Sequence, residues 1–156
     1  MKPPAPWNPD RAATIIAAHR ATEGAALPIL HALQDMFGHV PRAAIPMVAE
    51  ALNLTRAEMH GIASFYHEFR DAPPGRHVLR LCRAEACQAM GADHLHAATQ
   101  QRLAIGWHET TADGAVTLEP VFCLGLCAVA PSGMLDGAPL GRLDISGLTA
   151  ALEAAR

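Results

Sequence analysis

Four cysteines carry the chemistry open to this sequence. Cys82 and Cys87 form a C-x4-C pair, Cys123 and Cys127 a C-x3-C pair, and 35 residues separate the pairs. The first half of the 156-residue chain has no cysteine. In a reducing compartment, clustered thiols serve as metal ligands more often than as disulfides. Two inorganic groups suit four thiolates. A structural zinc wants a closed tetrahedron, built on pairs separated by roughly two to four residues. A two-iron, two-sulfide cluster wants four thiolates from wider loops, because it is larger than one ion. The commoner zinc grip, C-x2-C, is absent. The loop Cys123-Leu124-Gly125-Leu126-Cys127-Ala128-Val129-Ala130-Pro131 is small and apolar, and Gly125 lets backbone amides approach sulfur. Spacing favours iron–sulfur over zinc and leaves both open.

Other chemistry finds little support. Without C-x-x-C there is no thioredoxin-type dithiol. A Rieske site needs two histidines in place of two cysteines, and all four cysteines are present here. No carboxylate pair, glycine-rich phosphate loop or serine nucleophile stands out, so no self-sufficient catalytic site is expected. The nine histidines, including His60, His67, His94 and His96, read as surface or satisfied-core residues. Arg80 and Arg83 flank Cys82. Arg80 reads as a strand-face charge. Arg83 is either a loop charge or a cation that favours the reduced form of a cluster.

These cysteines need a scaffold, and the sequence divides before it. Asp71-Ala72-Pro73-Pro74-Gly75 cannot continue a helix and reads as a linker between halves 1–72 and 73–156. Four helices are expected in the first half. Asn8 caps one with Pro9 at its first position and Ile15 and Ile16 inward. The second carries Leu27, Leu30, Leu33 and Phe37 and stops at Gly38. The third follows Pro41, with Ile45, Val48, Ala49 and Leu52 on one face and Pro46 in its first turn. The fourth opens on the capping box Thr55-Arg56-Ala57-Glu58 and turns Met59, Ile62, Ala63 and Tyr66 inward. In the second half, residues 77–81 read as a strand ending at Cys82. Leu95, Ala98, Thr99, Arg102 and Leu103 share a helical face. Asp113-Gly114 and Asp136-Gly137 are hairpin turns. A last helix runs from about Ile145 through Leu152. The fold class expected is α+β: an N-terminal four-helix bundle for packing or docking, then a small α/β domain.

Composition narrows the partners. Hydrophobic residues make up 51% of the chain and charged residues 17%, enough for a buried core. The net charge of −3 and 4% aromatic content argue against nucleic-acid binding. No apolar run approaches a membrane span. Met1-Lys2-Pro3-Pro4-Ala5-Pro6-Trp7 has no apolar signal core, so a cytoplasmic location is expected.

The cysteine pattern, with Pro131 after it, resembles the thioredoxin-like [2Fe–2S] ferredoxin subunit of NADH-oxidising modules. That family spans respiratory complex I, NAD-linked hydrogenases and soluble NAD-dependent formate dehydrogenases. The stretch from Leu27 to Pro41 is similar to the family's helix-to-helix segment. Gly61-Ile62-Ala63-Ser64-Phe65-Tyr66-His67-Glu68-Phe69 is similar to its Gly-hydrophobic-x-Ser/Thr-Phe-Tyr-x-x-Phe signature. The resemblance runs from about Asp10 to Arg156. Arg83-Ala84-Glu85-Ala86-Cys87-Gln88, residues 108–114 and Phe122-Cys123-Leu124-Gly125-Leu126-Cys127 look most like the formate dehydrogenase gamma subunit. Phe122 stands where the family often has an acidic residue.

The resemblance implies a thioredoxin-like domain over 73–156, holding one [2Fe–2S] cluster on Cys82, Cys87, Cys123 and Cys127. It implies a flavin- and NAD-binding beta subunit in direct contact, carrying FMN, NAD and further iron–sulfur clusters. It also implies an alpha subunit with a molybdenum or tungsten pterin, which oxidises formate to carbon dioxide while NAD+ becomes NADH. The chain's own task would be electron transfer, on the direct route or a side branch. The same role in a hydrogenase or complex I module is an alternative, and a zinc-stapled interaction module is another. The helical half, with Phe65, Tyr66 and Phe69, would dock the partner or brace the cluster domain, with Phe65 packed into the core.

Overall fold

The computed structural model describes residues 5–155. Met1–Pro4, part of the N-terminal segment read above, and Arg156, the end of the second half, lie outside the described residues. The chain forms two compact units, Met1–Pro73 and Pro74–Arg156.

The helical unit follows its local signals closely. Helix α1 spans Pro9–His19, and the Asn8 side chain accepts hydrogen bonds from the amides of Asp10 and Arg11. Helix α2 spans Ala26–Phe37 and ends on Gly38 at φ 75°, a left-handed cap that favours glycine. Helix α3 spans Ala44–Ala51. Its Pro46 falls in the first turn, where the missing N–H has no helical acceptor anyway. Helix α4 spans Arg56–Phe65 behind a complete capping box, with the Thr55 hydroxyl on the Glu58 amide and the Glu58 carboxylate on the Thr55 amide. Ile29, Leu30, Leu33, Phe37, Val48 and Met59 are fully buried at the centre of the unit. The chain after α4 is tied back through Gln34, which donates to the Glu68 carbonyl and accepts from the Arg70 amide.

Two expectations on α4 fail. Phe65 is 74% exposed rather than packed in the core, and Tyr66 is also exposed. Tyr66 leaves the helix with extended backbone, so helical spacing no longer governs where its ring points. Phe65, Tyr66 and Phe69 instead stack edge to face, with ring centroids 5.1 and 6.1 Å apart.

The sheet unit has five strands among the described residues: β1 (His77–Cys82), β2 (Glu109–Thr110), β3 (Val116–Val121), β4 (Gly133–Leu135) and β5 (Ala138–Leu140). Their spatial order is β2-β3-β1-β4-β5. The central β1–β3 pair is parallel, with His77 opposite Val116 and Cys82 opposite Val121, and the other three pairs are antiparallel. A parallel pair needs a crossover, and helices α5 (Glu85–Ala89) and α6 (Ala92–Leu103) lie within it. Helix α7 (Ile145–Ala154) closes the unit behind an Asp144 cap. Both Asp-Gly turns form. Asp136 clasps the start of β1, accepting from the Val78 amide at 2.8 Å and meeting His77 Nδ1 at 2.7 Å. Gly133 has no room for a side chain, because a Cβ there would lie 2.8 Å from the Arg80 carbonyl oxygen.

The buried face of α6 differs from the expected one. Ala92, Leu95, His96 and Thr99 are buried, while Arg102 is exposed. Ala92 packs against Cys82 and Cys87, and His96 is held by the Cys82 carbonyl. Contacts at the cysteine end, rather than apolar periodicity, set the helix rotation. Across both units the chain is mixed α and β, with seven α-helices and five strands among the described residues.

Candidate metal centre

The parallel pairing of β1 and β3 positions the cysteines. Cys82 is the last residue of β1, and Cys123 follows two residues after its register partner Val121. The ladder runs one bond further, with the Arg83 amide donating to the Val121 carbonyl at 2.8 Å. Both strands therefore release their loops at the same sheet end. The short helix α5 carries Cys87 back toward Cys82, and a 3-10 turn at Cys127–Val129 carries Cys127 back toward Cys123.

The two pairs differ in environment. Cys82 and Cys87 are only 2% and 1% exposed, within a small cluster that includes Ala92 and Ala130. The Cys87 thiol helps to lower the Cys82 pKa. Cys87 Sγ also lies 3.4 Å from the hydroxyl of buried Ser132. Cys123 and Cys127 are exposed free thiols with sulfurs 3.9 Å apart. The backbone is turned to serve sulfur here. Cys123 has φ 81°, unusual for a residue with a side chain, and Gly125 has φ 75°. The Gly125 amide then donates to Cys123 Sγ at 3.3 Å.

Electrostatics link the pairs. Burial pushes the Cys82 thiol up, but the Ala84 amide, the Cys87 thiol and the Cys123 and Leu124 amides outweigh it, and the net shift is downward. Amides from the second loop thus favour the charged form of the first-loop thiol. Cys127 is raised, first by the hydrogen bond and charge of Cys123, then by burial and the charges of Cys87 and Cys82. The neighbouring thiol charges that oppose ionisation of Cys127 would be relieved by cationic iron. Among the described residues, no three His, Cys, Asp or Glu side chains gather closely enough to hold a single ion. The sulfurs lie as two pairs, and amide donors face them, a donor set that fits a two-iron cluster with two terminal thiolates per iron.

Three neighbours complete the surroundings. The Cys82 carbonyl can only accept, so His96 donates to it through Nε2–H at 3.2 Å. Burial lowers the His96 pKa; the Cys82 carbonyl and Asp93 pull it up, and the Arg83 charge pushes it down, for a net fall. The His96 ring meets Trp107 edge-on at 5.3 Å. Arg83 lies over the same indole, its guanidinium carbon 5.2 Å from the ring centroid. Arg80 fits its reading as a strand-face charge, paired with Glu119 at 2.9 Å. His96 fits its reading as a satisfied-core residue, whereas sequence reasoning missed Trp107 and Ser132. No local pattern marks them, since the fold alone brings them to the cysteines. Phe122, beside the exposed pair, is 71% exposed.

The model of the thioredoxin-like [2Fe–2S] ferredoxin family matches residues 12–156. A subunit of the NADH-quinone oxidoreductase of Pseudomonas aeruginosa is 38% identical over 130 residues, covering 83% of this chain and 78% of that protein. Its Escherichia coli counterpart is 37% identical over 112 residues, covering 72% and 68%. Among solved structures, an air-oxidised NAD+-reducing [NiFe]-hydrogenase superposes with a TM-score of 0.66 at 27% identity. That match covers 83% of this chain, which spans only 22% of the hydrogenase chain.

Proposed function

The chain belongs to the thioredoxin-like [2Fe–2S] ferredoxin family, and on that premise we propose that it is a one-electron carrier subunit of an NADH-oxidising or NAD+-reducing complex. Family membership implies one [2Fe–2S] cluster. The proposed ligands are Cys82, Cys87, Cys123 and Cys127. The observation that supports this reading is the parallel pairing of β1 and β3, which releases both cysteine loops at one sheet end.

When bound, the cluster takes up and releases one electron. The protein's residues do the rest. Amides of Ala84, Cys123, Leu124 and Gly125 offset negative charge on sulfur. The buried Cys82–Cys87 side keeps water away, and the exposed Cys123–Cys127 side leaves an edge open to a partner.

Within this role, the finer proposal is the gamma subunit of a soluble NAD-dependent formate dehydrogenase. It rests on the loop segments 83–88, 108–114 and 122–127. The partners would be a flavin- and NAD-binding beta subunit and a pterin-bearing alpha subunit, in the cytoplasm. The helical unit, 1–72 in the sequence reading, would be the bundle that docks a partner, and exposed Phe65 and Tyr66 beside Phe69 support that. A hydrogenase or complex I module is the second reading, favoured by the NADH-quinone oxidoreductase relatives and the hydrogenase structure.

Anaerobic purification of the native complex tests both levels. A [2Fe–2S] spectrum with about two irons per chain is expected. Colourless, zinc-loaded protein from iron-replete cells would defeat the cluster. Formate-dependent NAD+ reduction by the purified complex would support the finer reading; hydrogen- or quinone-linked activity alone would replace it.

A further inference from the structure

We propose that Arg83, held in place by Trp107, is a fixed cation that raises the reduction potential of the cluster on Cys82, Cys87, Cys123 and Cys127, with Trp107 as its positioning residue. This rests on the cluster assignment above. Arg83 directly follows Cys82 and its backbone is fixed by the bond to Val121. Its side chain is half-buried, and its Nε is buried with no hydrogen-bond partner among the described residues. The contrast with Arg80 is instructive, because Glu119 neutralises that arginine. Among the described residues, no carboxylate pairs with Arg83. Its contact is the Trp107 ring, which orients a guanidinium without cancelling its charge.

The ring is itself held in place. Trp107 meets His96, and His96 donates to the Cys82 carbonyl. Cys82, His96, Trp107 and Arg83 thus form a closed bracket that begins and ends at neighbouring residues. Four thiolates and two sulfides around two ferric irons carry a net charge of −2, and one added electron makes it −3. An uncompensated cation on the residue that follows Cys82 would attract the second state more than the first. A leucine at 107 would leave the charge but release its position. A glutamine at 83 would remove the charge outright.

The test is a potentiometric titration of the cluster-loaded full chain, followed by visible absorption and electron paramagnetic resonance. Arg83→Gln should disfavour reduction about tenfold, which is about 59 mV for a one-electron couple. Arg83→Lys should recover part of the difference, and Trp107→Leu should shift the potential the same way by less. Combining Trp107→Leu with Arg83→Gln should add nothing to Arg83→Gln alone, because the indole acts through the arginine. An unshifted Arg83→Gln potential with a wild-type spectrum overturns the proposal. A Trp107→Leu shift that adds in full overturns the positioning role. If Arg83→Gln fails to load iron, Arg83→Lys and Trp107→Leu decide by the same potentials. Absence of a [2Fe–2S] spectrum in the wild-type chain would instead defeat the underlying assignment.

Discussion

In the helical unit, Ile29, Leu30, Leu33, Phe37, Val48 and Met59 close on one another. In the sheet unit, the main apolar cluster around Leu79, Leu81 and Leu118 is joined by a second, smaller one built from Cys82, Cys87, Ala92 and Ala130. Alanines and thiols fill little volume and contribute little apolar area. The first unit is therefore finished by its own side chains, whereas the second ends in sulfur. Stability and function separate accordingly. The helical unit has a core of large apolar side chains, and with the proposed ligands the sheet unit would gain part of its folding energy from ligation.

The strongest way to break this comparison is Cys127→Ala, or iron chelation of the wild type. Either should remove the colour and raise hydrogen exchange through the sheet unit while α1 to α4 keep their protection. Unchanged colour and exchange would contradict the ligand assignment. Leu33→Ala is the complementary test in a core closed by side chains. It should cost the helical unit about 3 kcal/mol in denaturant unfolding and leave the visible spectrum as it was; loss of the spectrum would show the units are energetically inseparable.

A smaller effect is expected at the α4 cap. Thr55→Ala should cost about 1 kcal/mol, again without touching the spectrum. Its partner Glu58 adds a pH dependence. The Thr55 amide, then its hydroxyl, hold the Glu58 carboxyl below the usual carboxylate range. The folded state thus binds its proton less readily than the unfolded chain. The contribution is fully present above the ordinary glutamate pKa of about 4.5 and disappears as pH falls through the lower folded value. The melting-temperature gap between wild type and Glu58→Ala should be widest near neutrality and shrink in acid. The smallest stability change belongs to Phe65→Ala, within about 0.5 kcal/mol because the ring is exposed. It should nevertheless weaken recovery of partner subunits on an affinity resin, and full recovery would remove Phe65 from the proposed docking role.

How much the sequence disclosed follows the range of the interactions. The caps at Asn8 and Thr55, the stop at Gly38 and the turns at Asp113-Gly114 and Asp136-Gly137 each depend on residues within a few positions. All were readable, and so were the two cysteine pairs. The register of β1 on β3 was not, since it depends on a partner about 39 residues away, as with Arg80 and Glu119. The rotation of α6 escaped for a related reason: its apolar stripe is weak, and His96 is drawn inward by the Cys82 carbonyl. Phe65 misled because an apolar residue at a helix end looks like core in a linear pattern. Arg83 was visible as a charge beside Cys82, but Trp107, which fixes it, lies far along the chain beyond α6.

Neighbouring parallel strands release both thiol loops from the same edge, and this has an evolutionary corollary. The stretch joining those strands can lengthen or shorten, at the Asp113-Gly114 bend or across residues 104–106, without disturbing sulfur placement. One residue inserted inside 82–87 or 123–127 would displace a thiol outright. Divergent members should accordingly drift in the tether and keep the two grips at constant length.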